Sequence, residues 1–246
     1  MTAPLSVEIS GGVATLTLDR PSRRNALSRE LLNDLRSALP RAVAGAGALI
    51  LTGAGHCFSA GADISELQGT AEDIAFDDAL AEIAEFIRES PLLAIAAIEG
   101  PCIGAALDLA CACDARVVSA TAFFELPSVR LGLLYNPAAI ARLRRMLPAT
   151  TVRRLLLLGD RIEGTQALGA GIATYVVAAG RTIVMANEIA RRIVASPRAL
   201  VESKRLLNAL EQGAIDLAAW NVIRDELLAS PERRAALAAA KSRLHS

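Results

Sequence analysis

The first residues that could do chemistry lie in a loop of small side chains within residues 48–67, ALILTGAGHCFSAGADISEL. An apolar run over residues 48–51 has the length of a buried strand and stops at Thr52-Gly53. Glycines and alanines then lead to Asp63-Ile64, where we expect a helix to begin. Because Gly and Ala let a ligand approach the backbone closely, main-chain N–H groups of this loop can donate hydrogen bonds to it.

A second segment has the same plan. Residues 92–98 form another apolar run of strand length, which is broken at Glu99-Gly100-Pro101. The small residues Gly104-Ala105-Ala106 follow, and a helical pattern then runs to Asp114. The chain therefore offers two strand–loop–helix units whose peptide N–H groups lie near the start of a helix.

A serine hydrolase is the chemistry that side chains of the first loop suggest, since Ser59, His56 and Asp63 all lie there. No nucleophile elbow surrounds a serine, and His56 lies in a predicted turn. We therefore reject this interpretation.

Composition and charge exclude further classes of protein. Lys plus Arg and Asp plus Glu both number 26, so no global charge favours binding to nucleic acid or to an anionic membrane. The most apolar stretch, residues 92–113, contains Glu99, Pro101 and Asp108, which argues against a membrane span. The apolar content of 53% is ample for a packed core.

The cysteines and the N-terminus indicate a cytoplasmic protein. The four cysteines are Cys57, Cys102, Cys111 and Cys113. Their spacing fits neither a disulfide framework nor a paired zinc-ligand motif, so we expect reduced, buried thiols. The first ten residues show no secretory signal pattern.

The alternation of strand and helix patterns predicts an α/β protein with a parallel sheet. The other predicted elements are a hairpin over residues 7–18, helices over 28–39 and 77–89, strands over 116–120 and 122–124, a short helix over 164–171, a last strand over 172–177, and C-terminal helices, two of which start at Pro197 and Pro231.

Four short pieces of the chain occur in a specific order and spacing. They are Arg20-Pro21 with Asn25-Ala26-Leu27, the run of residues 58–64, Glu99-Gly100 with Gly104-Ala105-Ala106, and Leu131-Gly132. Over residues 7–207 the chain thereby resembles the enoyl-CoA hydratase/isomerase (crotonase) superfamily. The resemblance implies a spiral of ββα units over residues 1–190. It also implies a C-terminal helical region over 191–246 that mediates trimers or dimers of trimers.

The resemblance further implies a coenzyme A thioester whose carbonyl oxygen becomes anionic as an enolate forms. The family's two backbone N–H donors to that oxygen match Ala62 and Ala105, although the second position is commonly glycine. Such a donor typically contributes about 3 kcal/mol to transition-state stabilisation. The residues implied to line the substrate and its coenzyme A are Arg24 (near the phosphates), Ala26, Ala60, Ala62, Asp63, Ile64 and Ala105. Coenzyme A belongs to the substrate, so the resemblance implies no separate cofactor and no metal.

The acid–base positions depart from the family pattern. Hydratases of this family add water with two glutamates, and this chain has Asp108 at the first position and Ser128 at the second. Burial near a thioester would raise the pKa of Asp108 toward general acid–base use. Alternatively, Asp108 is an acid stabilised by the dipole of its helix. Ser128 cannot replace a carboxylate, and only a shift in strand register would make Glu125 the substitute.

Tyr135 stands where hydratases commonly have proline, in the turn that follows Leu131-Gly132. Together with Asn136 and with Phe76-Asp77-Asp78, it resembles the methylmalonyl-CoA decarboxylase branch. Decarboxylation needs no strong base, because loss of carbon dioxide itself generates the enolate, and a tyrosine hydroxyl can orient the carboxylate. The alternative is a core or rim aromatic residue whose hydroxyl group has a partner.

Three functions therefore remain open: an acyl-CoA lyase resembling enoyl-CoA hydratase, a methylmalonyl-CoA decarboxylase-like enzyme, and a non-catalytic acyl-CoA- or RNA-binding relative. The only feature that favours RNA is a local cluster of arginines, which solvated helix faces or contacts across a trimer would also explain. The cluster consists of Arg142, Arg144, Arg145, Arg153 and Arg154. We expect an acyl-CoA thioester and copies of the same chain as partners, without nucleic acid or membrane.

Overall fold

The structure is a computed structural model that describes residues 3–193, 197–213 and 215–244. Its strands are β1 (Leu5–Ser10), β2 (Val13–Leu18), β3 (Ala48–Gly53), β4 (Leu93–Ile98), β5 (Pro101–Ile103), β6 (Ala115–Ser119), β7 (Phe123–Glu125), β8 (Ile162–Glu163) and β9 (Tyr175–Val177). Its helices are α1 (Arg29–Gly45), α2 (Ile74–Glu89), α3 (Ala105–Ala112), α4 (Pro137–Met146), α5 (Ala149–Arg153), α6 (Thr182–Ile193), α7 (Pro197–Gln212), α8 (Leu217–Leu228) and α9 (Pro231–Leu244).

Six strands form the main sheet in the order β1-β2-β3-β4-β6-β9. The first two form the predicted antiparallel hairpin, and every other pair in this sheet is parallel. Three short strands form a second sheet in the order β5-β7-β8. The sequence patterns did not predict β5 and β8, because strands of three and two residues are too short to show a period.

The strand register of the main sheet lines up one face of the core. Leu16 of β2 pairs with Leu51 of β3, which pairs with Ala96 of β4. These three residues belong to one buried apolar cluster together with residues of α1, α2 and α3. Helix α6 also packs against β3, β4 and β6, and all six residues of β4 are buried. The central strands are therefore covered on both sides, as parallel strands usually are.

Three predicted helices have different lengths in the structure. Ser28 caps α1 as expected, since its hydroxyl oxygen accepts from the Leu31 N–H at 3.2 Å, but the helix continues through Pro40 to Gly45. Buried Ala42 anchors this extension. The helix predicted after Asp63 is only a 3₁₀ turn, Ile64–Glu66, because Leu67 returns to extended backbone. The helix predicted over residues 164–171 is likewise reduced to a 3₁₀ turn, Gly164–Gln166.

The chain divides into two compact units, Met1–Val194 and Ala195–Ser246. The border expected between residues 190 and 191 falls inside α6, and all of α6 belongs to the first unit. In the second unit, α7 and α9 start at the predicted prolines. Arg198 of α7 forms an ion pair with Glu226 of α8, and the Arg205 guanidinium lies 5.9 Å from the centre of the Trp220 ring.

Two expectations about the whole chain can be compared with the structure. Cys57, Cys102, Cys111 and Cys113 are all free and buried, as predicted. Among residues 3–193, 197–213 and 215–244, no helix combines the length and the apolar character that a bilayer crossing requires.

Candidate active site

The first small-residue loop leads from β3 to Ala62 and lies against the segment before α1. The Leu27 N–H donates to the Gly61 carbonyl oxygen at 2.8 Å, and the Asp63 N–H donates to the Leu27 carbonyl oxygen at 2.9 Å. In a parallel bridge of this kind, the residue between those two bonds directs its own N–H away from the partner segment. The Ala62 N–H therefore points away from Leu27, and within the described residues it donates no hydrogen bond.

The second loop leads from β4 through β5 into α3. Gly104 makes the turn with φ 57° and ψ −121°, and its N–H donates to the Glu125 carbonyl oxygen at 2.8 Å. Ala105 is the first residue of α3, where N–H groups have no acceptor inside the helix. Its N–H also has no acceptor elsewhere in the part of the chain that the structure describes.

Gly61 is where the two loops meet. A Cβ atom on Gly61 would lie 2.5 Å from the Ile103 carbonyl oxygen and 3.5 Å from the Ala105 nitrogen, and the φ angle of Gly61 is +86°. Only glycine allows this approach and this backbone conformation. Because the Ala62 nitrogen is bonded to Gly61, the two free N–H groups lie on adjacent backbone segments. Such a pair of donors can hold an oxygen atom that carries negative charge.

The residues predicted to line coenzyme A lie on two neighbouring segments. The Ala60 N–H donates to the Arg24 carbonyl oxygen at 2.9 Å, so that residues 24–27 run beside residues 60–63. Ala26 is buried at the centre of this arrangement, whereas Ile64 is 70% exposed beyond it. The structure thus brings these residues together, and their contact with a ligand stays a prediction.

The carboxylate of Asp63 already has partners within the protein. It forms an ion pair with Arg20 at 2.9 Å and accepts a hydrogen bond from the Ser65 hydroxyl at 2.6 Å. The hydrogen bonds from Ser65 and Arg20 lower the pKa of Asp63 and outweigh the effect of its burial. Asp63 thus holds the turn after Ala62 in place as a carboxylate.

Asp108 forms a buried, two-pronged ion pair with Arg142. The Arg142 Nε donates to Asp108 Oδ1 at 3.0 Å, and the Arg142 Nη2 donates to Oδ2 at 2.6 Å. Burial raises the pKa of Asp108, and the guanidinium group opposes this rise. Because both carboxylate oxygens are engaged and the residue is fully buried, this geometry opposes the predicted acid–base role of Asp108.

The pairing also corrects the expectation for the arginine cluster. Arg142 was expected on a solvated helix face or at a trimer contact, and this is wrong, since it is only 6% exposed. The physical reason is that its ion-pair partner, Asp108 on α3, is itself buried. Arg144, Arg145, Arg153 and Arg154 are exposed, as a solvated helix face requires.

Tyr135 and Ser128 each place a hydroxyl group in the interior without a partner. Both hydroxyl oxygens are buried, and neither forms a hydrogen bond within residues 3–193, 197–213 and 215–244. The alternative in which the Tyr135 hydroxyl has a partner is therefore wrong. Burial raises the pKa of Tyr135 well above its usual value, and the charges of Asp108 and Asp77 add to this rise. The Tyr135 hydroxyl thus keeps its proton and can act as a hydrogen-bond donor.

The sequence pattern did not single out Asp77 as a chemical group. It lies in the first turn of α2, in line with the buried Leu80 and Ala84 at the third and seventh following positions. Helix α2 packs against both α1 and α3, and Leu80 and Ala84 belong to the apolar cluster that these helices share. Burial raises the pKa of Asp77, and the charges of Asp78, Asp73 and Asp108 act in the same direction. An acid at the end of an apolar helical stripe was the signal that could have identified it.

Glu125, the substitute acid that a register shift would require, is engaged elsewhere. Its carboxylate accepts a hydrogen bond from the Arg130 guanidinium at 3.0 Å, and its backbone carbonyl oxygen accepts one from the Gly104 N–H. As for metal ions, no group of three or more His, Cys, Asp and Glu side chains in the described ranges is placed to hold one.

The fold and the site together define a class of protein. A parallel α/β core carries two small-residue loops whose free peptide N–H groups lie side by side, which is an arrangement suited to an oxygen that becomes anionic. The family model for enoyl-CoA hydratase/isomerase matches residues 8–221. The chain therefore belongs to the enoyl-CoA hydratase/isomerase family.

Individual relatives agree with this assignment. A probable enoyl-CoA hydratase of Mycobacterium bovis is 39% identical over 209 residues, which are 85% of this chain and 82% of that protein. An enoyl-CoA isomerase/hydratase of Mycosarcoma maydis is 33% identical over 252 residues, which are 94% of this chain and 90% of that protein.

Solved structures of the family share the fold. The enoyl-CoA hydratase of Bacillus anthracis is similar with a TM-score of 0.87 and 28% identity, over 98% of this chain and 96% of that chain. An enoyl-CoA hydratase/isomerase family protein of Hyphomonas neptunium is similar with a TM-score of 0.91 and 27% identity, over 98% of this chain and 95% of that chain. The crotonase-like α/β fold with C-terminal helices that the sequence predicts is confirmed.

Proposed function

We propose that this protein is an enoyl-CoA hydratase-like enzyme that holds the thioester oxygen of its substrate between the Ala62 and Ala105 N–H groups. The observation that carries the proposal is the pair of free donors that Gly61 brings together. As an enolate forms, negative charge grows on the thioester oxygen, and both donors strengthen their hydrogen bonds to it. Membership of the family supports a CoA thioester as the substrate.

The position of Ala105 adds to this stabilisation. Its N–H lies at the N-terminus of α3, where the helix dipole favours negative charge. Because the donors are backbone groups on packed segments, they need no rearrangement as the charge develops. In this proposal the adenine and pantetheine parts of coenzyme A lie along residues 24–27 and 60–64, with Arg24 near the phosphates.

A test should remove one donor without unfolding the chain. Ala105→Pro does so, because proline lacks the N–H and is tolerated at the first position of a helix. Ala105→Gly is the matched control, since it changes the same side chain and keeps the donor. The substrates are crotonyl-CoA, a 3-enoyl-CoA and methylmalonyl-CoA, and circular dichroism verifies the fold of each variant.

We expect Ala105→Pro to lower the kcat of whichever substrate reacts by about 10²–10³-fold, the usual effect of losing one such donor. Ala105→Gly should stay close to wild type. An Ala105→Pro variant that is folded and as fast as wild type would contradict the oxyanion hole.

A second candidate is a methylmalonyl-CoA decarboxylase-like enzyme. The unpartnered Tyr135 hydroxyl favours it, because a buried donor can orient a substrate carboxylate, and the Asp108–Arg142 pair leaves no free acid at the first family position. Loss of carbon dioxide from methylmalonyl-CoA without hydration of crotonyl-CoA would select this candidate. Tight binding of all three thioesters without turnover would instead select the non-catalytic acyl-CoA-binding relative.

Self-association and a cytoplasmic location complete the proposal. The second unit exposes several apolar side chains, among them Leu207, Leu217 and Val222, each more than half exposed in the single chain, with Leu207 at 61%. We expect these helices to contribute to a trimer or a dimer of trimers. Light scattering coupled to size exclusion measures the mass, and a monomer at micromolar concentration would contradict this expectation.

A further inference from the structure

We propose that Asp77 is the carboxyl group that takes up and returns the substrate proton in this site, with the Tyr135 hydroxyl as its neighbouring donor. This inference rests on the proposed function, since it assigns the proton transfer that accompanies the enolate held by Ala62 and Ala105. Three observations carry it: the engagement of Asp108, the position of Asp77, and the unpartnered Tyr135 hydroxyl.

Asp108 is not available for proton transfer. Arg142 occupies both of its oxygens, and neither side chain is accessible, with exposures of 1% for Asp108 and 6% for Arg142. To accept a proton, Asp108 would have to leave a charge-assisted pair and abandon a buried guanidinium group. The pair instead fixes α3, which carries Ala105, to α4, which follows Tyr135.

Asp77 differs from Asp108 in both respects. Its carboxylate is only partly buried, so a ligand can reach it, and no arginine or lysine is paired with it in the described residues. Its place in line with Leu80 and Ala84 puts it toward the buried side of α2, a helix that packs against α1 and α3. The charge of Asp108 acts on Asp77, so Asp77 lies near α3, the helix that carries Asp108 and begins with Ala105.

The Tyr135 hydroxyl is an independent sign that a ligand enters here. It is buried and has no hydrogen-bond partner in the ranges that the structure describes. The charges of Asp108 and Asp77 both raise its pKa. Buried hydroxyl groups without a partner are rare in folded proteins and ask for a functional explanation. A donor of this kind can bind a polar group of the substrate next to the Asp77 carboxylate.

The proton transfer involves only groups that are present. A C–H bond next to the thioester carbonyl breaks, its proton bonds to a carboxylate oxygen of Asp77, and the electron pair moves into the enolate. The enolate oxygen then accepts hydrogen bonds from Ala62 and Ala105. Return of the proton from Asp77 to carbon restores the thioester, and in heavy water it returns as deuterium.

The surroundings of Asp77 suit this role. Burial raises the pKa of Asp77, and the charges of Asp73, Asp78 and Asp108 raise it further, which brings the group closer to the pH at which enzymes work. The other ionisable groups near this cluster are Tyr135, whose raised pKa keeps it neutral, and Arg142, whose charge is paired with Asp108.

The test measures deuterium uptake next to the carbonyl of butyryl-CoA in heavy water, by mass spectrometry. Asp77→Asn is compared with Asp78→Asn, the adjacent and exposed acid, and with Asp77→Glu. We expect Asp77→Asn to slow exchange by about 10²–10⁴-fold, the usual contribution of a general base. Asp78→Asn should change the rate little and shift its pH dependence to lower pH, because it removes one of the charges that raise the pKa of Asp77. Asp77→Glu should recover part of the rate. The wild-type rate should rise with pH as Asp77 loses its proton, and Asp77→Asn should lack this rise.

Thermal unfolding separates proton transfer from a merely structural role. The raised pKa means that folding disfavours the Asp77 carboxylate, so its unfavourable contribution is present at neutral pH and disappears as pH falls and the group is protonated. Asp77→Asn should therefore raise the Tm at pH 7.5, and raise it less at pH 4. A folded Asp77→Asn variant that exchanges as fast as Asp78→Asn would overturn the proton-transfer role of Asp77. The proposed enolate chemistry would not be affected by that result. Bound butyryl-CoA without any exchange by the wild type would overturn the proposed enolate chemistry together with the role of Asp77.

Discussion

The two halves of the candidate site are built from different groups. One half consists of the peptide N–H groups of Ala62 and Ala105, whose direction is set by a parallel bridge and by the start of a helix. The other half consists of side chains from α2, α3 and α4 and of Tyr135, whose states are set by each other. In the first half, a change of side chain that leaves the backbone path intact keeps both N–H donors. In the second half, one substitution changes the pKa values of the neighbouring groups.

This difference explains how the chain can depart from the family pattern at its acids and still keep the donors. Alanine in place of glycine at position 105 leaves the N–H unchanged. Aspartate at position 108 is different, because both of its carboxylate oxygens take part in an ion pair with Arg142. In the proposed function, the backbone half determines the kind of intermediate, and the side-chain half determines its fate.

The largest effect on stability should come from breaking the side-chain half at Arg142. Arg142→Met leaves the Asp108 carboxylate buried without a cation, which we expect to cost about 3–5 kcal/mol in unfolding free energy at neutral pH. Without the guanidinium group, burial alone acts on the pKa of Asp108 and raises it further. The loss should therefore shrink as pH falls from 8 to 5 and Asp108 takes up a proton.

Urea unfolding at the two pH values measures this loss. Arg144→Met on the exposed side of the same helix is the control and should change little. Adding Asp108→Leu to Arg142→Met should recover part of the stability, because no buried charge then remains. A loss that is equal at pH 8 and pH 5 would show that packing, and not the charge of Asp108, is responsible.

A smaller effect should follow from breaking the backbone half at Gly61. Gly61→Ala places a Cβ 2.5 Å from the Ile103 carbonyl oxygen at a φ of +86°. Overpacking and backbone strain together should cost about 2–4 kcal/mol. The displaced loops should also lose enolate stabilisation, so that kcat falls in the folded fraction.

Gly55→Ala is the matched control, since Gly55 has a φ of +72° and no atom within 4 Å of the added Cβ. It should show only the cost of left-handed backbone, about 1–2 kcal/mol, and retain kcat. Urea unfolding and steady-state kinetics measure both variants. Equal effects of the two substitutions would mean that the contact between Gly61 and the second loop does not matter.

The backbone half could be predicted from the sequence because its signals are local. Strand-length apolar runs that end in small residues, and a helix start after Gly104, appear directly in the order of residues. The hairpin, the parallel rhythm and the Ser28 cap are local signals of the same kind, and the structure confirms them. The approach of Gly61 to Ala105 was not visible, since the two residues lie 44 positions apart in the sequence and only the fold brings them together.

The side-chain half was predicted poorly because charge states depend on tertiary partners. The helical spacing of Ala139, Arg142 and Leu143 puts Arg142 on the apolar face of α4, but the sequence does not show that Asp108 is its buried partner there. Asp77 has the same residue type as its neighbour Asp78, and only the difference in their burial distinguishes them. Tyr135 was identified from its place in a turn, but only the fold shows that its hydroxyl group has no hydrogen-bond partner among the described residues.

The smallest effect on stability, and the sharpest separation of stability from function, should come from Tyr135→Phe. The lost hydroxyl is buried and has no partner in the described part of the chain, so its removal should leave the unfolding free energy unchanged or raise it by about 1 kcal/mol. If the hydroxyl binds substrate beside Asp77, deuterium exchange into butyryl-CoA should slow about tenfold, the equivalent of one hydrogen bond.

Tyr175→Phe, which alters the chain's other tyrosine on the exposed face of β9, is the control and should affect neither property. A Tyr135→Phe variant that is clearly less stable would mean that the hydroxyl has a structural partner. A variant that exchanges at the wild-type rate would show that the Tyr135 hydroxyl takes no part in the proton transfer. Asp77 would then act without a neighbouring donor. Slow exchange together with full stability would place the Tyr135 hydroxyl in the chemistry, because its loss would then have acted on the reaction and not on the fold.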